Sequence, residues 1–195
     1  LRAYQIHQRG CASHPARRSG VSLPLLLIDA DKFKALSALL GHLGGDRVLR
    51  AMSDTVRRSV RAFDVCTRFG GEEFAILMPG SNEVSALQSA ERIRQRIEHY
   101  RFDPVLIPPE IHPTISVGVA VLTAESAAQD LIARADRALY AAQAAGKNCV
   151  RLAGEEGEPR TSRFPADVTV HVNRRGAGGL APAVSLEDQR PRRRT

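Results

Sequence analysis

The chain of 195 residues contains no tryptophan, only three cysteines and few aromatic residues. Cys11, Cys66 and Cys149 are odd in number and form no Cys-x-x-Cys pair, which disfavours a disulfide framework or a zinc site and favours a reducing cytoplasm. No apolar run approaches the roughly 18–20 residues of a membrane span, and no secretory signal opens the sequence. The sequence therefore predicts a soluble, cytoplasmic protein.

The positive charge lies mainly in the flanks of the chain. Of the net charge of +7, residues 1–22 contribute four arginines and no acid, and residues 154–195 contribute eight arginines against six acids. A nucleic-acid footprint needs basic residues clustered on one folded face with aromatic or helical context, and aromatics make up only 5% of this chain. We therefore expect no nucleic-acid partner.

Hydrophobic periodicity predicts one domain of alternating strands and helices. Strands are predicted where apolar residues run together or alternate, at 23–28, 65–69, 74–78, 114–121 and 149–152. Helices are predicted where apolar residues recur at three or four, at 45–60, at 84–97 and from a capping box at 126–129 onward. The order βαββαβαβ predicts an α+β fold, with a mostly antiparallel central sheet flanked by helices.

Composition divides the chain into three parts. Residues 1–22 are expected to hold the end of a helix and a loop, and residues 23–153 the folded domain. Gly, Pro and Arg dominate beyond residue 153, so we predict a poorly ordered tail at 154–195. Residues 167–172 alternate like a strand within that tail but lack an evident strand partner.

The most informative stretch is Arg-Phe-Gly-Gly-Glu-Glu-Phe at 68–74. The Gly70-Gly71 pair predicts a tight hairpin turn, because glycine enters positive φ without steric cost. If this hairpin neighbours the strand that ends at Asp29, then Asp29 and Glu72 can meet at one sheet edge. Clustered carboxylates suit Mg²⁺ or Mn²⁺, although Gly-Gly-Glu-Glu alone could equally be a hairpin with a solvated acidic tip.

Three ordered motifs carry a family resemblance. The segments Asp-Ala-Asp-Lys-Phe-Lys at 29–34, Gly-His-Leu-Gly-Gly-Asp at 41–46 and Gly-Gly-Glu-Glu-Phe at 70–74 together resemble the GGDEF domain of bacterial diguanylate cyclases. The resemblance runs over about 23–152 and implies a nucleotidyl-cyclase-like sandwich. It also implies condensation of two GTP into cyclic di-GMP with loss of two pyrophosphates, in a homodimer whose subunits each hold one GTP.

The resemblance also implies roles for individual residues. Asp29, Glu72 and the Ala30 carbonyl would bind two Mg²⁺ or Mn²⁺ ions, while Glu73 would act with Glu72 in catalysis, on a second metal or on the 3′-hydroxyl. The remaining expected substrate contacts are Lys32, Phe33, Lys34, Ser37, Asp46, Gly70, Gly71 and Lys147. Among these, the backbone at 32–34 and the Lys34 ammonium would hold the β- and γ-phosphates at a helix start.

The chain departs from the family pattern at several positions. Ser37 stands where the family has an Asn that reads the guanine edge, so guanine affinity is expected to be weakened; Asp46, the other guanine contact, is retained. Gln143 replaces a phosphate-binding Lys, and Lys147 replaces an Arg. The family's opening motif is missing, from which we expect that Leu1 begins inside the first helix and that an upstream sensor domain is absent.

A second constellation is Arg61-x-x-Asp64, which matches the inhibitory site where these enzymes bind their own product, with Arg92 as a secondary contact. An Arg and an Asp three apart at a helix end are otherwise a surface ion pair of little energy. His42 is expected to be structural. A catalytically weak module that senses GTP or cyclic di-GMP is the alternative function, and a purely structural interaction domain has little support because it would not need clustered acids.

Overall fold

The computed structural model describes residues 22–68, 70–102, 107–108, 111–122, 128–154, 169–173 and 183–187. Its strands are β1 (Leu23–Ala30), β2 (Val65–Arg68), β3 (Glu73–Leu77), β4 (Ile115–Leu122), β5 (Val150–Leu152), β6 (Thr169–Asn173) and β7 (Ala183–Glu187). Its helices are α1 (Phe33–Ser59), α2 (Glu83–Glu98) and α3 (Ala128–Ala144). The predicted order of strands and helices is confirmed from β1 to β5.

The main sheet has five strands in the order β2-β3-β1-β4-β5. Strand β1 lies at its centre and pairs antiparallel with both β3 and β4, while β4 and β5 are parallel. Strands β4 and β5 can be parallel because helix α3 connects them, and a parallel connection needs a crossover of a dozen or more residues. The predicted α+β fold, with a mostly antiparallel sheet flanked by helices, is confirmed.

Strand β1 is a continuous apolar run because helices cover both faces of the sheet. Leu26 and Ile28 pack with residues of α1 and α2, whereas Leu25 and Leu27 pack with residues of α3. Side chains alternate between the two faces of a strand, so each core takes every second residue. Asp29 directly follows this apolar run, one residue before the end of β1.

Helix α3 approaches the sheet most closely at Gly118 of β4. A Cβ atom at this position would collide with the carbonyl oxygen of Ala135 and the backbone nitrogen of Leu139. Glycine is therefore required here by the close approach of two backbones. This contact sets the distance between α3 and the sheet.

Helix α1 begins at Phe33, well before the predicted start at residue 45. The helix is sharply interrupted at Gly41, whose φ of 72° and ψ of 166° are not helical. The apolar periodicity restarts after this break, which is why only the second segment was evident from the pattern. Glycine accommodates the break because it has no Cβ to oppose a positive φ.

A second sheet corrects the expectation that the alternating segment at 167–172 lacks a strand partner. Strand β6 pairs antiparallel with β7, with Thr169 opposite Glu187 and Asn173 opposite Ala183. The alternation at 167–172 therefore marked a real strand, and its partner was hidden in a stretch rich in Ala and Pro. Residues 1–21, Phe69 and the capping box at Ser126 lie outside the described residues.

Candidate functional site

The acidic residues meet where β1 and β3 end side by side. In the antiparallel register Asp29 lies directly opposite Glu73. The next residue, Ala30, donates its backbone N–H to the carbonyl oxygen of Glu72 at 3.2 Å. The sequence predicted that Asp29 and Glu72 would approach one another; the register makes Glu73 the direct neighbour of Asp29 and places Glu72 beside Ala30.

The hairpin between β2 and β3 does not form its turn in the expected way. The glycines with positive φ among the described residues are Gly41, Gly80 and Gly146, so the explanation of Gly70 and Gly71 by positive φ was wrong. A Cβ on Gly70 would instead meet the end of the Glu73 side chain, so a larger residue there would displace the Glu73 carboxylate. A Cβ on Gly71 would meet no atom within 4 Å.

Arg68 holds the tip of this hairpin from one side. Its Nε donates to the carbonyl oxygens of Gly70 at 3.2 Å and Gly71 at 3.0 Å, and Nη2 also donates to Gly71. Gly70 in turn donates its N–H to the Glu73 carbonyl oxygen at 3.4 Å. The Arg68 guanidinium thus fixes the backbone of the residues that precede Glu72 and Glu73.

The donor set at this edge suits a hard divalent cation. Asp29, Glu72 and Glu73 are all half-buried and offer carboxylate oxygens, and Ala30 offers a backbone carbonyl. Within the residues that the structure describes, no group of three or more His, Cys, Asp or Glu is already arranged as a metal cage. Mg²⁺ usually binds proteins through one or two carboxylates together with substrate phosphates, and not through a cage of protein ligands alone.

The start of α1 at Phe33 lies three residues after Ala30 on the same chain segment. Lys32 occupies the N-cap position with φ 54°, and its carbonyl accepts from the Leu36 N–H at 3.1 Å. The first N–H groups of a helix have no partner within it, so their partial positive charge faces outward. Lys32 and Lys34 are exposed and no acid lies in the first turn, while Phe33 packs against the core. The segment is suited to an anion.

The break at Gly41 folds the two segments of α1 against each other and joins two predicted site positions. A Cβ on Gly45 would lie 2.7 Å from the Ser37 hydroxyl oxygen. Ser37 is therefore close to the chain segment that carries Asp46, although nine positions separate them in sequence. Asp46 and His42 are exposed.

Asp31 is a residue of this region to which the sequence analysis gave no role. Its nearly buried carboxylate accepts from the hydroxyls of Thr114 at 2.8 Å and Ser116 at 2.6 Å, and from the backbone N–H of Asn148 at 2.9 Å. It therefore joins the segment after β1 to β4 and to the turn before β5. Only its spacing from Asp29 could have drawn attention to it.

Lys147 lies in that same turn, which leaves α3. Its backbone N–H donates to the Ala142 carbonyl at 3.1 Å, and its φ of 68° is left-handed, as is that of Asn148 at 47°. Non-glycine residues hold this conformation only where surrounding contacts impose it. Lys147 and Gln143 are both half-buried near the end of α3.

The Arg61-x-x-Asp64 pattern forms a closed turn between α1 and β2. The Asp64 carboxylate accepts the Arg61 backbone N–H at 2.8 Å, and the Asp64 N–H donates back to the Arg61 carbonyl at 3.1 Å. The expectation that this pair lies on the helix end needs correction, because α1 already ends at Ser59. The Arg61 guanidinium lies over the Phe63 ring at 5.9 Å, so it remains at the surface.

Asp64 is the buried member of this turn. Burial raises the pKa of its carboxyl, against the opposing effects of the Arg61 backbone hydrogen bond and the charges of Arg61 and Arg92. Its Oδ1 atom is buried without a hydrogen-bond partner. Arg92 is itself exposed and donates to the Ser59 carbonyl at 3.1 Å. The three predicted inhibitory-site residues are thus grouped around the end of α1.

None of the helices in the described part of the chain is long and apolar enough to cross a membrane. Cys66 and Cys149 are free thiols, and burial raises the pKa of Cys66 to about 11. The cysteine pattern of the sequence agrees with this finding for these two residues.

Comparison with known proteins gives one consistent family. A family model described as diguanylate cyclase, GGDEF domain, matches residues 4–149. The chain is 38% identical over 137 residues to diguanylate cyclase DosC of Escherichia coli, covering 70% of this chain and 30% of that protein. It is 37% identical over 150 residues to the response regulator PleD of Caulobacter vibrioides, covering 76% and 33%. The chain thus spans about a third of the length of these relatives.

Solved structures agree with the sequence relatives. The active GGEEF domain of a diguanylate cyclase from Vibrio cholerae superimposes with a TM-score of 0.66 at 30% identity, covering 72% of this chain and 88% of that one. The GGDEF domain of DgcB from Caulobacter crescentus, in complex with c-di-GMP, superimposes with a TM-score of 0.65 at 28% identity, covering 71% and 81%.

Proposed function

The chain belongs to the GGDEF domain family of diguanylate cyclases, and on that premise we propose that it condenses two GTP into cyclic di-GMP. The observation that supports this most directly is the register of β1 and β3. It brings Asp29 opposite Glu73 and Ala30 beside Glu72, next to the exposed N-terminus of α1. Carboxylates for a metal and N–H groups for phosphates are therefore adjacent.

In the proposed reaction, the 3′-oxygen of one GTP attacks the α-phosphorus of the other. A phosphorus–oxygen bond forms, the bond from the α-phosphorus to the bridging oxygen of the β-phosphate breaks, and pyrophosphate leaves. Glu73 is the group that we assign to take the proton of the 3′-hydroxyl. Repeating the step in the opposite direction closes the ring, so two domains must face each other as a homodimer with one GTP each.

Asp29, Glu72 and the Ala30 carbonyl would hold Mg²⁺ or Mn²⁺, with two ions per site. When bound, such ions stabilise negative charge on the transferred phosphate and lower the pKa of the attacking hydroxyl. The protein's own share is to position the reactants. The N–H groups at the start of α1, the Lys34 ammonium and Lys147 would hold the triphosphate, while Gly70 and Gly71 leave room for the nucleotide.

The purine would lie at the break in α1, between Ser37 and Asp46. The closeness of Ser37 to Gly45 supports this assignment, because it brings Ser37 next to the residue that precedes Asp46. A single hydroxyl can satisfy fewer purine atoms than an amide. We therefore expect a lower affinity for GTP than an Asn at this position would give.

Regulation by the product is the remaining part of the proposal. Arg61, Asp64 and Arg92 would bind cyclic di-GMP, the arginines through its phosphates and guanine edges and Asp64 through guanine N–H groups. The closeness of Asp64 to the positive charges of Arg61 and Arg92 supports a shared site. The free thiols of Cys66 and Cys149 are consistent with a cytoplasmic location, where thiols stay reduced.

Incubation with GTP and MgCl₂ tests the activity, with cyclic di-GMP and pyrophosphate separated by chromatography. We expect both products, in a ratio of one to two, from wild-type protein and from the Glu83→Ala control, which lies at the exposed start of α2. Glu73→Ala should abolish turnover while retaining cyclic di-GMP binding. Binding of cyclic di-GMP without any product from wild type would instead favour the sensor alternative, which Ser37 and Gln143 leave open.

A further inference from the structure

Arg94 of α2 makes hydrogen bonds beyond its own helix. Its side chain is only 12% exposed; Nε and Nη2 donate to Glu91, and Nη1 donates to Glu98 at 2.8 Å. Nη1 also donates to the Asn148 side-chain oxygen at 2.7 Å, 54 positions along the chain. An ordinary helical ion pair would involve only residues three or four apart. This guanidinium also holds a turn of another element.

Asn148 makes hydrogen bonds through both its side chain and its backbone. Its Nδ2 donates to Glu98 at 2.6 Å, which completes a closed triangle with Arg94. Its backbone N–H donates to the Asp31 carboxylate at 2.9 Å. The hydrogen bonds from Asn148 and Arg94 hold the pKa of Glu98 below its usual range, so the triangle joins charged groups.

The two ends of this chain of contacts lie beside proposed site residues. Asn148 follows Lys147 directly, and both have left-handed backbones that neighbouring contacts must maintain. Asp31 lies between Ala30 and Lys32, in the segment that connects the acidic edge to the start of α1. We name Arg94, Glu98, Asn148 and Asp31 the Arg94 relay.

We propose that the Arg94 relay positions the GTP site, with Arg94 and Asn148 as positioning residues that do not touch the nucleotide. The proposal rests on the proposed function and names residues that support it from outside. The Arg94 guanidinium holds the Asn148 side chain, and Asn148 in turn holds the orientation of Lys147. The backbone N–H of Asn148 holds the Asp31 carboxylate. Side chains that bind a reactant hold their geometry only when a supporting layer locks them in place.

The alternative is that the triangle merely stabilises the contact between α2 and the turn before β5. The two interpretations differ in the property that a mutation changes. A purely stabilising contact lowers the melting temperature and the folded fraction, but leaves the half-saturating GTP concentration of the folded molecules unchanged. A positioning contact raises that concentration even where the variant is fully folded.

Asn148→Gly is the sharper test variant. Glycine adopts the left-handed backbone without strain and keeps the N–H that donates to Asp31, so only the side-chain clamp is lost. Arg94→Met and Arg94→Lys remove the fork while keeping a long side chain, and lysine retains the charge. Arg96→Ala is the matched control, since Arg96 lies on the same helix but donates to Arg58 and Ser59 at the end of α1.

The measurements are GTP kinetics with magnesium, equilibrium binding of a non-hydrolysable GTP analogue, and thermal unfolding. We expect Asn148→Gly and Arg94→Met to raise the half-saturating GTP concentration and the analogue's dissociation constant about tenfold, as loss of one hydrogen bond to a charged group would. Arg94→Lys should recover part of this loss, and Arg96→Ala should bind like wild type.

Unchanged GTP and analogue affinity in folded Asn148→Gly would overturn the proposal, and so would an Arg96→Ala variant with the same defect as Arg94→Met. If Arg94→Met does not fold, Asn148→Gly and Arg94→Lys decide alone, because each retains part of the relay. Failure of the proposed function is distinguishable, since wild-type protein would then form no cyclic di-GMP in the same assay.

Discussion

Asp29 and Glu73 lie directly opposite each other on the antiparallel strands β1 and β3. Side chains of opposite residues in such a pair are neighbours, with Cβ atoms about 4.5–5.5 Å apart. Two like charges at this distance oppose folding unless other groups or a cation offset them. The same pairing that completes the sheet therefore brings together two carboxylates to which the proposed function assigns metal binding and proton transfer.

The first prediction concerns this ion. Magnesium with a non-hydrolysable GTP analogue should raise the melting temperature of the wild-type protein, because a ligand that binds only the folded state stabilises it. Asp29→Asn should lose most of the increase. The matched control is Asp54→Asn, an exposed aspartate of α1, which should respond like wild type. Equal shifts for both variants would remove Asp29 from the metal site.

The second prediction separates the two glycines of the hairpin tip. Gly70→Ala should lower turnover at least tenfold with little change in melting temperature, because the new methyl group displaces the Glu73 carboxylate and one decade is a loss of about 1.4 kcal/mol in transition-state stabilisation. Gly71→Ala should retain more activity than Gly70→Ala, since its methyl group enters open space. Steady-state kinetics decide, and a larger loss for Gly71→Ala would contradict this account.

The third prediction follows from the buried carboxyl of Asp64. Burial raises its pKa above the ordinary value of 3.8, so the folded protein binds this proton more readily than the unfolded chain. The stability that Asp64 contributes is therefore fully present below that ordinary value and is lost as the pH rises through the folded pKa. Asp64→Asn, which does not titrate, should gain stability relative to wild type as the pH rises above that ordinary value.

Denaturant unfolding across this pH range measures the difference. The exposed Asp54→Asn variant serves as the control, because its carboxyl is solvated in both states. A stability difference for Asp64→Asn that is constant with pH, or that changes in the opposite direction, would show that burial does not raise the pKa of the Asp64 carboxyl in the folded protein.

The fourth prediction concerns product inhibition. Arg61→Ala should weaken inhibition by cyclic di-GMP at least tenfold, because charge-assisted contacts to phosphate are among the strong hydrogen bonds. The initial rate without added product should remain near that of wild type, since Arg61 lies outside the acidic edge. Arg57→Ala, an exposed arginine in the last turn of α1, is the control. Inhibition that is unchanged in Arg61→Ala would exclude this site.

The fifth prediction concerns the fold alone. Gly118→Ala should destabilise the protein by about 1–3 kcal/mol, because the methyl group forces α3 away from β4. Gly71→Ala adds the same methyl group in open space and should cost much less. Chemical denaturation of both variants gives the comparison, and equal stabilities would mean that α3 adjusts without strain.

The acidic motif and the main strands could be predicted from the sequence because their patterns are local. The apolar run before Asp29 and the Gly-Gly-Glu-Glu string each reflect the chain's own geometry within a few residues. The register between them could not be derived, because a shift of one residue changes which carboxylate faces Asp29 without altering either local pattern. Sequence reasoning accordingly paired Asp29 with Glu72, whereas Glu73 is its direct neighbour.

The Arg94 relay could not be predicted from the sequence, for a related reason. Arg94 and Glu98 look like an ordinary helical ion pair, and Asn148 like a turn residue. Their hydrogen bonds connect positions that only the packing of α2 against β4 and β5 brings together. Gly70 shows the reverse error, since the local rule of positive φ was applied where a Cβ would instead meet the Glu73 carboxylate.

The amino-acid order alone determined the five strands of the main sheet, most of its helices and the family of folds they build, because apolar spacing and turn residues act over short stretches of chain. The three-dimensional packing alone decided which oxygen atoms face one another, which glycines are crowded and which distant polar groups share hydrogen bonds. These depend on contacts between residues far apart in the chain, whose partners are chosen only when the sheet and its helices close together.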